Sequence, residues 1–206
     1  MLKTLTRVAV VVALASLAQA APAAAQATYR LTVAPQGNQA RYLVREQLAR
    51  LDFPNDAVGV TSVVSGGIVV DETGRIDRAE SRFTIGLAEL KSDADRRDNY
   101  VRRNTLQTEQ HPTAVFVPTA FRNLTLPLPA SGDVAFEVTG DLTIRGVTRP
   151  VVWQVTGSVS NGAVTGVAKT QFTFADFEIT KPRVASVLSV ADDIRLEYSF
   201  FLVPQR

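Results

Sequence analysis

The feature that most restricts this chain is a two-residue alternation of apolar and polar side chains that returns along most of its length. In "DVAFEVTGDLTIR", Val134, Phe136, Val138, Leu142 and Ile144 share one side, with Glu137, Thr139, Asp141 and Thr143 on the other. "DIRLEYSFFLV" repeats this with Ile194, Leu196, Tyr198, Phe200 and Leu202 against Arg195, Glu197 and Ser199. Period two is the signature of a half-buried antiparallel strand. Weaker runs lie at 29–33, 40–44, 60–70, 75–87, 113–121, 150–159 and 163–174. Turn-forming clusters at 35–38, 72–74, 127–132 and 160–162 separate several of them. Asn161-Gly162 between two such runs is the sharpest hairpin signal. Eight or nine strands with short connections predict an all-β protein, either a sandwich or an up-and-down barrel.

Two segments break the pattern. From 93 to 104, "DADRRDNYVRRN" does not alternate, opens after Ser92 as an N-cap and places its acids first and its bases last, as the helix dipole favours. We expect one helix there, packed through a narrow stripe of Ala94, Tyr100 and Val101. The second, 45–59, has Leu48 and Leu51 at helical spacing, but Pro54 and Asn55-Asp56 stop a helix quickly, so a loop with a short turn is expected.

The first residues have a different character. Lys3 and Arg7 precede about ten apolar residues, fewer than the roughly 18 a spanning helix needs, and then the small-residue run "AQAAPAAAQA". This reads as a Sec-type secretory leader, residues 1–27, with alternative cleavage after Ala20 or Ala27. It predicts a periplasmic or secreted protein of bacterial type with no stable membrane anchor. Residues 28–206 then form a single domain. Losing Lys3 and Arg7 leaves 20 cations against 20 carboxylates, with mixed signs throughout, which argues against a nucleic-acid partner.

Chemistry is sparse. There is no Cys and one histidine, His111, so neither a Cys/His nucleophile pair nor a structural zinc site can be assembled. A mixed site of His111 with Glu109 is weaker than an ordinary histidine at a strand entry. No phosphate-binding or dinucleotide glycine motif and no G-x-S-x-G elbow occurs. Asp93, Asp95 and Asp98 alternate with Arg96 and Arg97, as on a solvated helix face. An acid/base role for Tyr100, Glu109 or His111 has no motif behind it, so catalytic residues, metal and cofactor are all expected to be absent. If the strands close into a barrel, its interior either fills with side chains or holds a ligand. Periodicity alone leaves both open, the filled barrel being a structural or interaction domain acting through rim loops such as 45–59.

Three stretches resemble the signatures of the YceI family. "DADRRDNYVRRNTLQTEQHPTAVF" carries Arg97-Asp98, Leu106, Pro112 and Phe116. "GDLTIRGVTRPV" spans 140–151, and "FTFADFEI" spans 172–179. The resemblance departs at 29–50, where the family's opening strand pair with its histidine is not visible, and at Glu178, where a glycine is usual. It implies an antiparallel eight-stranded lipocalin-like barrel, exported and non-catalytic, that binds or carries a polyisoprenoid or another long-chain amphiphile such as an isoprenoid quinone. Facing along the strands then assigns Phe83, Ile85, Phe116, Phe136, Val138, Trp153, Phe172 and Phe200 to the cavity wall. Arg97 and Arg145 are candidate headgroup contacts through charge-assisted hydrogen bonds. An unpaired edge at 29–33 would leave room for a homodimer.

Overall fold

A computed structural model of the chain describes residues 28–205; the leader reading and its two cleavage sites lie outside them. Ten strand segments run in the order β1 Thr28–Val33, β2 Gln39–Leu48, β3 Asn55–Thr61, β4 Val64–Asp71, β5 Arg82–Gly86, β6 Thr113–Arg122, β7 Ser131–Ile144, β8 Val147–Ser160, β9 Ala163–Thr173 and β10 Val187–Pro204. All pairings are antiparallel. The sheet order β1-β4-β5-β6-β7-β8-β9-β10 closes through a β1–β10 pairing.

The ring has eight positions because two of them are held by broken strands. The long β10 pairs its first part with β2 and its last residues with β1, so β1 and β2 run along the same edge. Facing them, β3 pairs β2 while β4 pairs β1. The first break is the turn at Pro35–Gly37, which buried Asn38 ties to β10. Its side chain donates to Ala34 O at 2.8 Å and accepts from Phe201 N at 3.0 Å. The second break, at Ser62-Val63, makes two strands of the run expected at 60–70.

Three expectations are corrected. Strand β1 is no edge, since Leu31 and Thr32 pair on both sides. The 75–87 run is strand only from Arg82 to Gly86. The Asp71 carboxylate accepts from Thr73 N and Arg75 N, and Asp77 from Ala79 N, so aspartates there bond to their own backbone in turns instead of a ladder. The 45–59 segment is mostly strand: β2 continues to Leu48, a tight turn follows, and β3 begins at Asn55.

The expected helix is present, shifted by two residues: α1 Asp95–Tyr100, continued by a π-helical stretch Val101–Leu106. Ser92 does not cap it in the usual way, and Ala94 holds the cap position. The Asp98 carboxylate reaches back to accept from Ser92 N at 2.8 Å and Ser92 Oγ at 2.6 Å. The helical stretch lies over the end of the barrel where β5 finishes and β6 begins.

Candidate functional site

Inward-facing residues of the ring do not fill it. They surround a cavity of about 720 Å³ that reaches from Leu48 and Arg50 at the helix end to Tyr29, Leu126 and Leu128 at the other. The 14-residue strands β7 and β8, tilted as barrel strands are, span about 35 Å of height. Drawn out along that height, 720 Å³ is a long, narrow bore rather than a compact pocket. That bore suits one extended hydrocarbon chain. Of the two interiors that periodicity left open, the structure has the hollow one.

The wall is apolar nearly throughout, and small residues shape it. Gly140 faces the Phe116 ring so closely that a Cβ there would lie 2.5 Å from it. Phe116 can thus lean on Trp153, ring centroids 5.8 Å apart and edge to face. Opposite, a Cβ at Gly59 would lie 2.2 Å from the Tyr42 ring, and the two are cross-strand partners. The far end is lined by Leu124, Leu126 and Leu128 of the 123–130 segment, and Leu126, like Tyr29, Leu31 and Phe121, packs against Ile68, Val70 and Ile76.

Polar groups gather at the helix end. On β2 the inward positions are Ala40, Tyr42, Val44, Glu46 and Leu48, which puts a carboxylate inside the barrel. Glu46 is 7% exposed. Arg97 on α1 donates to it, Nη2 to Oε1 at 2.6 Å, and also pairs with the exposed Asp93. Burial works against the Arg97 charge, but the ion pairs with Glu46 and Asp93 outweigh it and raise its pKa above the ordinary value. Burial likewise pushes the Tyr42 phenol up to about 12, helped by the carboxylates of Asp98, Glu46 and Asp93 and opposed by Arg97. Tyr198 is also raised, by burial, but its hydroxyl is spent on Asn38 Oδ1 at 2.8 Å. On the wall itself, Trp153 Nε1 and Thr105 Oγ1 are buried and have no hydrogen-bond partner among the described residues.

All eight residues assigned to the wall line this cavity: Phe83, Ile85, Phe116, Phe136, Val138, Trp153, Phe172 and Phe200. Arg97 lines it too. Arg145 does not. With φ of +52° beside Gly146 at +77°, it is the first central residue of the two-residue turn joining β7 to β8, the same left-handed pair that Asn161-Gly162 makes between β8 and β9. Sequence reasoning missed Tyr42, Glu46, Leu48 and Arg50. Their alternation was legible, but a glutamate at an inward position disguised it.

Tyr100 lines the bore, whereas Glu109 and His111 do not. Among the described residues no cluster of three or more His, Cys, Asp or Glu is placed to hold a metal, and no helix is long and apolar enough to cross a membrane.

A closed antiparallel eight-stranded barrel with one helix across its end and an apolar bore defines a lipocalin-like class of barrel. Residues 31–202 match the YceI-like domain family, and the chain belongs to it. A UPF0312 protein of Azotobacter vinelandii is 28% identical over 82 residues, 39% of each chain, so the match spans well under half of that relative. Among solved structures, a polyisoprenoid binding domain from Saccharophagus degradans, described as implicated in plant cell wall breakdown, aligns with a TM-score of 0.67 at 14% identity, covering 85% of this chain and 98% of that one. Burkholderia cenocepacia BcnA aligns at 0.57 and 17% identity over 81% and 96%. The Campylobacter jejuni YCEI protein aligns at 0.57 and 17% over 78% and 91%. These likenesses establish the shared barrel.

Two of the stretches that resemble family signatures have physical accounts. In Arg97-Asp98, the arginine closes on Glu46 and the aspartate fixes the start of the helix. In "FTFADFEI", Asp176 accepts from Thr173 N at 2.7 Å and Thr173 Oγ1 at 2.9 Å, bonds that hold its carboxyl below the usual range. The turn they build sends Phe177 inward to 1% exposure, against Phe172 at 4.5 Å between ring centroids.

Proposed function

We propose that this protein is an exported, non-catalytic binding or carrier protein that encloses one polyisoprenoid or similar long-chain amphiphile, with an isoprenoid quinone as a fitting cargo. The observation that carries the reading is the cavity: a long, narrow bore, apolar along most of its length and polar at one end. Burying an apolar chain in it releases roughly 25 cal/mol for each Å² removed from water. That suits a long ligand with a small polar head at the Glu46–Arg97 end and its tail toward Leu126 and Leu128. The polyisoprenoid-binding description of the Saccharophagus degradans domain points the same way, and the leader composition supports a periplasmic or secreted site of action.

The test is to recover the protein from a bacterial periplasm without detergent, extract it with organic solvent and identify what comes out by mass spectrometry. A long-chain isoprenoid or quinone near one per chain supports the proposal. A clean extract that stays clean after incubation with host lipids contradicts it.

A further inference from the structure

The helix-end mouth carries side chains that the cavity does not use. In the turn between β2 and β3, Phe53 is 81% exposed and Leu51 46%; on β10, Leu188 is 69% exposed. They belong to one neighbourhood. Ala49 N donates to Ser186 O at 3.0 Å, and Leu48 stands opposite Val187, the residue before Leu188. The turn is built, with Leu51 N bonded to Leu48 O at 3.1 Å and the Gln47 side chain donating to Leu51 O. Leu48, Arg50, Ser186 and Val187 all line the cavity, so the apolar tip is continuous with the mouth.

Three arginines stand beside it. Arg50 and Arg96 stand on the rim, and Arg183 lies between the lining residues Pro182 and Val184. None of the three makes a salt bridge among the described residues, in contrast to Arg45 and Arg195, which share Asp56. The turn carries one carboxylate, Asp52, and the exposed Asp93 and Asp95 near Arg96 are each paired with another cation, Arg97 and Lys91. Large apolar side chains beside unpaired arginines are what an interfacial anchor on an anionic bilayer uses: the apolar groups enter the acyl boundary and the arginines meet lipid phosphates.

We infer that the Leu51, Phe53 and Leu188 tip with Arg50, Arg96 and Arg183 docks the barrel mouth-down on an anionic lipid bilayer, so that an apolar cargo enters or leaves without crossing water. This rests on the carrier reading for its purpose, but the docking itself is measured separately.

The test uses the protein recovered from the periplasm, floated with vesicles of phosphatidylcholine alone or containing phosphatidylglycerol. Some vesicles also carry a long prenyl alcohol as cargo. The protein is expected to float with the phosphatidylglycerol vesicles. Phe53→Ser with Leu188→Ser should lower the bound fraction about tenfold or more and slow loading from vesicles in proportion, with final occupancy from detergent-dispersed cargo unchanged. Arg183→Glu should weaken binding only to the anionic vesicles. Wild-type protein that stays in the aqueous fraction, or a double variant that floats as wild type does, overturns the inference. So does a wild-type dimer that the double variant converts to a monomer without any vesicle binding, since the tip would then be a protein contact. Floating protein that takes up no cargo by any route leaves the docking standing and overturns the carrier reading instead.

Discussion

Arg97 answers two carboxylates, and the inner one, Glu46, makes no other salt bridge among the described residues. Removing one partner of such a pair strands a buried charge, whereas removing both removes the penalty. Arg97→Met should therefore cost about 3 kcal/mol in urea unfolding, and Glu46→Gln added to it should restore most of that. Additive losses would mean that the pair is not coupled. Tyr42 belongs to the same cluster and sets an alkaline limit. Its folded pKa is raised, from 10.0 to about 12, so the folded state holds the proton more tightly than the unfolded chain. The resulting stability is complete below pH 10 and drains away as pH rises toward 12, by up to about 1.4 kcal/mol per pH unit. Tyr42→Phe should flatten part of that decline, and an unchanged alkaline unfolding profile would contradict the assignment. At Gly140, an added methyl meets the Phe116 ring and Val117 O, both at 2.5 Å. Gly140→Ala should lower stability by about 1 to 3 kcal/mol, read as a lower urea midpoint.

Elements were legible in the sequence where one physical signal acted alone. The alternation in β7 and β10 places the same residues inward in the structure, and Asn161-Gly162 makes the hairpin it advertises. Where two signals competed, the weaker reading was lost. Asp71 and Asp77 sit in a stretch with strand-like apolar spacing, but their side chains bond to their own backbone and turn the chain before Arg82. In β2, Glu46 interrupted an apolar face that otherwise runs from Ala40 to Leu48, because its partner Arg97 lies far along the chain and periodicity carries no information about it. The wall aromatics were readable for the same reason that Arg145 was not. A strand face follows from counting by two, whereas the role of a turn residue depends on its φ. The helix illustrates a third case, with its composition and charge order legible and its cap not, since Asp98 supplies from inside the helix what Ser92 was expected to supply in front of it.

At the scale of the whole molecule, the β1–β10 pairing closes the ring, and small residues facing inward leave the bore open. Ala168 is the place to close it. It lies on the wall, 8% exposed, opposite Val155 on β8 and Tyr198 on β10, so a large ring there occupies the path of a ligand. Overpacking is expected to cost about 1 to 3 kcal/mol, which leaves a folded protein to examine. The decisive measurement is native mass spectrometry of the detergent-free protein beside its Ala168→Trp variant. An enclosed long-chain lipid predicts a single apolar adduct on the wild-type chain and the bare polypeptide mass for the folded variant. A wild-type chain at its bare mass, or an adduct that survives the tryptophan undiminished, would contradict the account.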